Sequence, residues 1–348
     1  MRDYISKVHG INKYVGNKYQ LFGTRHYTLA DGTNNAVRAI DVKTGGGLEY
    51  TVLPDRGLDI SLASYKGVNL TYLGTNGEAH PSYYDCSGQE WLRTFYAGLL
   101  TTCGPDNIGS SCRDGDADYG LHGRFSHTPA KNVCDVSPYS DSIKIMGLID
   151  NHTLFSDKVS VKRTIESKQF GNYIKVTDEI TNEGSRSIPL MMLYHINFGF
   201  PFLSESAQVN IEAQRCEAYD DYSLRDMLNI TGFSKPHPAN TEKNYFHTCK
   251  DFKGYGFASV VNSSLNGMCV YIRQKLDTLP YLSQWKLENP IDYILGLEPC
   301  NTMCIGRHKL REKGILPMIG PEETRTMEIT IGVFDERDNV SDFKSLEQ

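Results

Sequence analysis

Segments of strand length, rich in alternating or β-branched apolar residues, recur along the whole chain and most constrain its fold. Nine of them lie at residues 48–53, 143–149, 159–165, 173–180, 209–213, 258–261, 268–272, 291–297 and 327–333. Clusters of Gly, Asn, Asp and Pro separate them and favour turns over helix caps. One short helix is predicted at residues 89–99, where apolar residues fall near helical spacing. The pattern predicts an all-β protein, built as a large sandwich or barrel.

The 348 residues are enough for one large domain, which we predict to span residues 1–348. Residues 1–44 would contribute N-terminal strands and a lead-in, followed by the main part of the domain at residues 45–335. The polar region 215–250, which contains Pro236 and Pro238, is predicted to be a long loop between strands.

Charge and cysteine content exclude several classes of protein. The net charge is −6 and no basic cluster is present, which argues against nucleic acid or an anionic membrane as a partner. The nine cysteines form no CxxC pair, so neither a disulfide framework nor a zinc knuckle is indicated. No stretch approaches the roughly 18 apolar residues of a membrane span. These features favour a soluble, cytoplasmic protein with reduced thiols.

The run LYHINFGFPF at residues 193–202 places two polar side chains in an apolar, aromatic sequence. If residues 193–198 form a strand, His195 and Asn197 share one face with Leu193. Two interpretations are open: a core histidine bonded to a backbone carbonyl, or an imidazole that exchanges a proton at a site wall.

Two other short motifs carry groups suited to proton transfer. In YGLHGR, glycines flank Leu121 and His122, which is typical of a loop that a ligand approaches closely, although an ordinary turn would look the same. In GLEPCN, a strand is predicted to end at Glu298, just before Pro299. The Glu298 carboxyl group is then either a general acid or base, or a solvated surface group.

Two further motifs offer groups that suit sugar hydroxyls and sugar rings. Arg56 and Asp55 precede Gly57 and could hold hydroxyl groups, or could pair with each other in a turn. Gln284 and Trp285 combine an amide with an indole, which could stack on the apolar face of a sugar; a core tryptophan is the alternative.

Taken in order, LHG (121–123), YHINFGFP (194–201) and LGLEPCN (295–301) resemble the aldose 1-epimerases, also called galactose mutarotases. The resemblance spans roughly residues 45–335. PDRGLDI, TTCGPDN and the Gln–Trp pair look more like a less characterised branch of that superfamily. The resemblance implies a large antiparallel β-sandwich and an isomerase of carbohydrate metabolism. It would interconvert the anomers of a monosaccharide or sugar derivative without a metal or organic cofactor.

The resemblance also implies roles for individual residues. His195 matches the family's acid, Glu298 its base and His122 its sugar-binding histidine. Asn197 lies in the same strand motif as His195. Further candidates for substrate binding, assigned from the branch motifs and side-chain chemistry, are Arg56, Asp106, Asn107, Gln284, Trp285 and Asn301.

The chain departs from the galactose enzymes in one stretch. Those enzymes carry an arginine shortly before LHG, whereas residues 98–107 here contain none, so galactose is not implied as the substrate. Two alternatives stay open: a non-catalytic carbohydrate-binding protein, and a metal-dependent sugar isomerase with His122, His127, His195 and Glu298 as ligands. A homodimer is compatible with the sequence, as is a monomer.

Overall fold

The computed structural model describes residues 13–137 and 142–336. These residues form mainly antiparallel β-structure, as the sequence predicts. The strands are β1 Gly23–Thr28, β2 Arg38–Lys43, β3 Leu48–Leu53, β4 Asp59–Tyr65, β5 Val68–Asn69, β6 Leu100–Cys103, β7 Cys112–Asp114, β8 Ala117–Tyr119, β9 Lys131–Asp135, β10 Ser142–His152, β11 Lys158–Lys168, β12 Tyr173–Asn182, β13 Ile188–Pro189, β14 Leu193–Phe198, β15 Ala207–Ile211, β16 Ala213–Ala218, β17 Lys243–Cys249, β18 Tyr255–Asn262, β19 Met268–Lys275, β20 Tyr281–Glu288, β21 Tyr293–Cys300, β22 Met318–Ile319 and β23 Thr324–Phe334.

Helices in the described part of the chain are short. The α-helices are α1 Asp221–Arg225 and α2 Arg307–Glu312. The 3₁₀ helices are Lys18–Gln20, Gly32–Asn34, Pro81–Tyr83, Glu90–Thr94, Phe125–His127, Met227–Asn229 and Ser263–Leu265. None of the described helices has the length and apolar character that a membrane crossing requires.

Two large sheets pack face to face as a sandwich. The larger has the order β1-β2-β3-β4-β6-β14-β21-β20-β17-β16, with β5 beside β4; the smaller has the order β15-β18-β19-β23-β12-β11-β10-β9. Burial alternates along strands such as β12, where every second side chain is buried, as expected for a strand with one face on a core. A single core cluster joins both sheets, with Ile60 and Ile196 from the larger and Val161 and Ile180 from the smaller.

A buried ionic network crosses the interface between the sheets. Arg163 on β11 forms two hydrogen bonds of 2.8 and 2.7 Å with Asp178 on β12 and one of 2.8 Å with Asp59 on β4. Tyr194 on β14 donates to Asp178 at 2.8 Å, and Thr102 on β6 donates to Asp59 at 2.7 Å. Burial raises the pKa of Asp59 to about 6, although Arg163 opposes that shift. Arg163 therefore supplies the buried cation that compensates both carboxyl groups inside the sandwich.

Four predictions of local structure need correction. The predicted helix at residues 89–99 is only the 3₁₀ helix Glu90–Thr94, because Ala97 and Gly98 have φ values of +61° and +66°, which an α-helix excludes. The predicted strand 209–213 is interrupted at Glu212, between β15 and β16. The region 215–250 contains the end of β16 and the whole of β17, and only residues 219–242 connect the two strands. The strand predicted to end before Glu298 continues to Cys300.

Replacing Arg163 tests the network. Arg163→Ala would leave Asp59 and Asp178 buried without their cation, and we expect a loss of about 3–5 kcal/mol in the free energy of unfolding. Lys162→Ala is the matched control, since Lys162 is next along β11 and its 2.8 Å pair with Glu179 is solvent-exposed; its cost should stay below about 1 kcal/mol. Urea denaturation at pH 7 measures both. Equal losses would contradict a structural role for the network.

Candidate active site

His195 and Glu298 face each other on neighbouring central strands. The register that pairs Leu193 with Cys300 and Ile196 with Leu297 sets His195 opposite Glu298. Their side chains meet on the sheet face away from the main core, with 3.3 Å between His195 Nε2 and Glu298 Oε1. Both residues are buried, at 4% and 3% exposure. A potential acid and a potential base are therefore in direct contact.

The local sequence around Glu298 explains how the pair fits into a sheet. The pairing of β21 with β14 skips Glu298 and Pro299, while pairing with β20 continues through both. Proline has no N–H to donate to a neighbouring strand. The LEP motif thus interrupts the pairing of β21 with β14 beside His195, but β21 itself continues, in contrast to the predicted strand end.

Gly296 leaves the space that the pair occupies. It lies two residues before Glu298, so a side chain at position 296 would lie on the same face of β21 as that of Glu298. A Cβ atom at this position would lie 2.6 Å from Glu298 Oε1 and 3.1 Å from His195 Cε1. Any larger residue would have to displace one member of the pair.

His122 approaches the pair from a loop. Its φ of +57° is in the left-handed region, and Gly123 follows at +68°, where a Cβ would lie 2.5 Å from Asp106 Oδ1. The backbone N–H of Gly109 donates to His122 Nδ1 at 3.3 Å, so the neutral ring carries its proton on Nε2. The His122 and His195 ring centroids are 5.9 Å apart. The two imidazoles and the carboxylate therefore lie around one hollow.

This hollow is a cavity of about 310 Å³ with aromatic walls. Trp91, Phe95, Phe246 and Trp285 line it together with the three groups just described. The Trp285 and Phe95 ring centroids lie 5.4 and 5.3 Å from that of His195, and Trp91 lies 4.9 Å from His122. Flat apolar faces around a few polar groups are typical of a small-molecule site, and the volume suits one sugar ring.

Burial shifts the protonation of all three groups towards their neutral forms. It raises the pKa of Glu298 to about 8, with Ser283 opposing the shift through a hydrogen bond. Burial lowers the pKa of His195 to about 3, with the nearby His122 adding to the effect, and lowers the pKa of His122 to about 4. At pH 7 the His195–Glu298 pair therefore holds one proton, which these directions place on Glu298.

Of the predicted substrate-binding residues, His122 and Trp285 line this cavity, but several others do not. Arg56 is fully buried and donates to the carbonyl oxygens of Ser126, Ala79 and Thr94. Its predicted alternative partner, Asp55, pairs with Arg38 instead. Arg56 thus stabilises three separate backbone segments by hydrogen bonds and is not positioned to bind a hydroxyl group of a ligand.

The predicted amide ligands also bond to the protein itself. The Asn107 side chain donates to the carbonyls of Ser110 and Gly120 and accepts from the backbone N–H of Arg307. The Asn301 side chain donates to the carbonyl oxygen of Leu190 and accepts from the backbone N–H of Met192. Because these amide groups satisfy buried backbone atoms, the structure gives them a structural role in place of the predicted sugar contact.

Three more predicted ligands lie just outside the cavity. Asn197 is fully buried beneath His195, and its side-chain amide donates to the carbonyl oxygen of His195 at 2.9 Å. Asp106 is behind the LHG turn, against Gly123. Gln284 faces a second cavity, where it contacts His247 at 3.1 Å.

The proposed metal ligands do not form one set. His127 contacts Arg56 and Thr94 through Nε2, at 3.0 and 2.8 Å, and stacks on Tyr84. It does not line the cavity that contains His122, His195 and Glu298. The four-residue ligand set suggested by the sequence is therefore not assembled.

Sequence reasoning missed several residues of the site, including the wall residues Phe95 and Phe246. Glu242 lines the cavity from the segment that had been predicted as a long loop, and its position depends on where β17 begins. Trp91 was read only as one apolar residue of a short helix. Gly296 was a glycine in a strand, which can signal close approach of another group.

The chain was compared with known families and structures. Residues 34–333 match the profile of a domain of unknown function, DUF4432. No match was found among curated proteins. A Klebsiella pneumoniae structure, named only provisionally as an aldose 1-epimerase, is 21% identical with a TM-score of 0.85, covering 95% of this chain and 89% of that one.

More distant structures share the architecture. A galactose mutarotase-like protein from Clostridium acetobutylicum is 16% identical with a TM-score of 0.64, covering 91% of this chain and 99% of that one. A galactose 1-epimerase from Lactobacillus acidophilus is 10% identical with a TM-score of 0.58, covering 90% and 99%. At these identities the similarity establishes the galactose mutarotase-like β-sandwich fold.

The raised pKa of Glu298 predicts a pH-dependent stability. Between its ordinary value of 4.5 and about 8, the native carboxyl keeps a proton that the unfolded chain releases, so the contribution of Glu298 to stability falls as pH rises through this range. Glu298→Gln lacks this group. The free energy of unfolding of the variant, relative to that of wild type, should be a few kcal/mol higher at pH 8 than at pH 5. Urea denaturation at the two pH values measures this difference.

The control for this prediction is Glu90→Gln. Glu90 is exposed and bonds to Arg93, so its replacement should change stability by about the same amount at the two pH values. If Glu298→Gln were instead relatively less stable at pH 8, Glu298 would be ionised in the folded protein.

Proposed function

We propose that this chain, which belongs to the DUF4432 family, interconverts the α and β anomers of an aldose by general acid–base catalysis. The observation that carries the proposal is the contact between His195 and Glu298, 3.3 Å apart in an aromatic cavity of about 310 Å³. The fold of the named aldose 1-epimerase and mutarotase-like structures supports the same class of isomerase.

The chemistry needs only two proton transfers around one carbon atom. In ring opening, a base takes the proton of the C1 hydroxyl and an acid protonates the ring oxygen, while the C1–O5 bond breaks and C1=O forms. Rotation about C1–C2 and closure on the other carbonyl face reverse both transfers. No proton or electron is gained or lost overall.

The contact between the two groups on adjacent strands supports this reaction. The C1 hydroxyl and the ring oxygen are bonded to the same carbon, so a base and an acid in contact with each other can each reach one of them. The indole and phenyl walls would hold the ring, and His122 Nε2 would donate to a hydroxyl.

The shared proton accounts for the direction of each step. His195 and Glu298 hold one proton between them at pH 7. Hydroxyl groups of a bound sugar would donate hydrogen bonds to the carboxylate and favour its charged form, which moves the proton to His195. Glu298 then acts as base at the C1 hydroxyl and His195 as acid at the ring oxygen, with the roles exchanged on closure.

Replacing either member of the pair should remove most of the acceleration. We expect Glu298→Gln and His195→Gln each to lower the anomer exchange rate by at least about 100-fold, since one general acid or base contributes about 10² to 10⁴. Exchange spectroscopy by NMR at pH 7, on a panel of aldohexoses and aldopentoses, measures the rate between anomers directly.

The chain offers a matched control and a clear contrary result. His247 is also a buried histidine of the larger sheet, but it faces the second cavity, so His247→Gln should retain exchange. Full turnover in both His195→Gln and Glu298→Gln would contradict the assigned roles. A sugar that binds wild-type protein without anomer exchange would favour the carbohydrate-binding alternative.

A further inference from the structure

Glu242 contributes a second carboxylate to the cavity, at its solvent-exposed mouth. It lies immediately before β17 and lines the same cavity as Glu298. Its charge contributes to raising the pKa of Glu298, so the two carboxyl groups are within electrostatic reach of each other. Trp285 lines the same cavity; burial raises the pKa of Glu242, and the Trp285 side chain opposes that shift.

The alternation of β17 explains why Glu242 points to the cavity without a cation beside it. Lys243 points to the opposite side, where its Nζ lies 3.2 Å from Asp226 and 2.9 Å from Glu288. Asn244 returns to the cavity side. Lys243 therefore forms ion pairs in a buried cluster and does not neutralise Glu242.

Other nearby cations also form ion pairs with carboxylates outside the cavity. Among the described residues, no lysine or arginine lines the cavity. Arg93, beside the lining residue Leu92, bonds to Glu90 at 2.6 Å. Arg307, shortly after the lining residue Ile305, bonds to Asp114 at 2.7 Å. Burial lowers the pKa of both histidines on the wall, which favours their neutral forms. A phosphate or carboxylate in this cavity would meet carboxyl groups and no lysine or arginine side chain of the described residues.

From this arrangement we infer that the cavity selects aldoses without a phosphate or carboxylate group, and that Glu242 is a specificity-determining residue at its mouth. The inference rests on the proposed function and extends it to the class of substrate. A like charge at the entrance raises the free energy of an anionic sugar approaching the site, while hydroxyl groups can donate to the same carboxylate.

The experiment compares neutral and anionic forms of the same sugar at pH 8 and low ionic strength. Anomer exchange is measured for each neutral aldose of the panel and for its terminal phosphate. D-glucuronate is compared with D-glucuronamide, which has nearly the same shape without the charge. Wild type should favour each neutral form by at least about tenfold in kcat/KM.

A series at position 242 separates charge from size. Glu242→Gln keeps the size of the side chain but not its charge, and we expect it to narrow the preference for the neutral sugar by about three- to tenfold; Glu242→Lys should narrow it further. Salt should weaken the wild-type preference, because charges at an open mouth are screened. Glu90→Gln removes one exposed charge outside the cavity and should leave the preference unchanged.

Each outcome is decisive. Equal or faster exchange of anionic sugars overturns the inference while leaving the proposed function intact. A preference that neither position 242 variant narrows shows exclusion by size and also overturns it. If no sugar is exchanged, saturation-transfer NMR decides: binding of neutral sugars alone supports the inference although the proposed function fails, and any other binding result overturns both.

Discussion

Strand β14 is buried on both faces, and the structure around the site depends on this constraint. One face carries Tyr194 and Ile196 into the interface between the sheets, where Tyr194 joins the Arg163 network. The other carries His195 beneath the aromatic cavity. Alternate residues of this one strand therefore pack in the core and line the candidate active site. A shift of one residue in register would exchange the two faces, so the core fixes the position of the imidazole.

Desolvation on the cavity face has a chemical consequence. An exposed histidine and glutamate would titrate independently near their ordinary values, whereas here burial brings the carboxyl group into the range of neutral pH and keeps the imidazole neutral. The pair is therefore poised to move one proton without a large change in net charge inside the sandwich. This property comes from the position of β14 and β21 at the centre of the larger sheet, covered by the loops that carry Trp91 and His122.

Much of this arrangement was predictable from the sequence, for physical reasons. Strands β3 and β14 match their predicted bounds because alternation and β-branching are local properties. The order of their motifs predicts His195, His122 and Glu298 as one set, and side-chain chemistry adds Trp285; all four line one cavity. Glu242 was not predictable, because its orientation depends on Lys243 being drawn into a cluster with Asp226 and Glu288. The continuation of β21 past Pro299 was missed because proline was taken to end the strand.

Hydrogen-bond satisfaction distinguishes the His195–Glu298 pair from Arg56, Asn107 and Asn301, which only resemble ligands in the sequence. Arg56, Asn107 and Asn301 use their side-chain donors on backbone carbonyls of loops that no local pattern brings together. By contrast, His195 Nδ1 and Glu298 Oε1 are buried atoms without a hydrogen-bond partner. Leaving such atoms unsatisfied costs stability, and a fold retains that cost most readily where a function uses the group. The sequence shows which residues are polar, whereas only the assembled backbone shows which of them still have bonding capacity for a substrate.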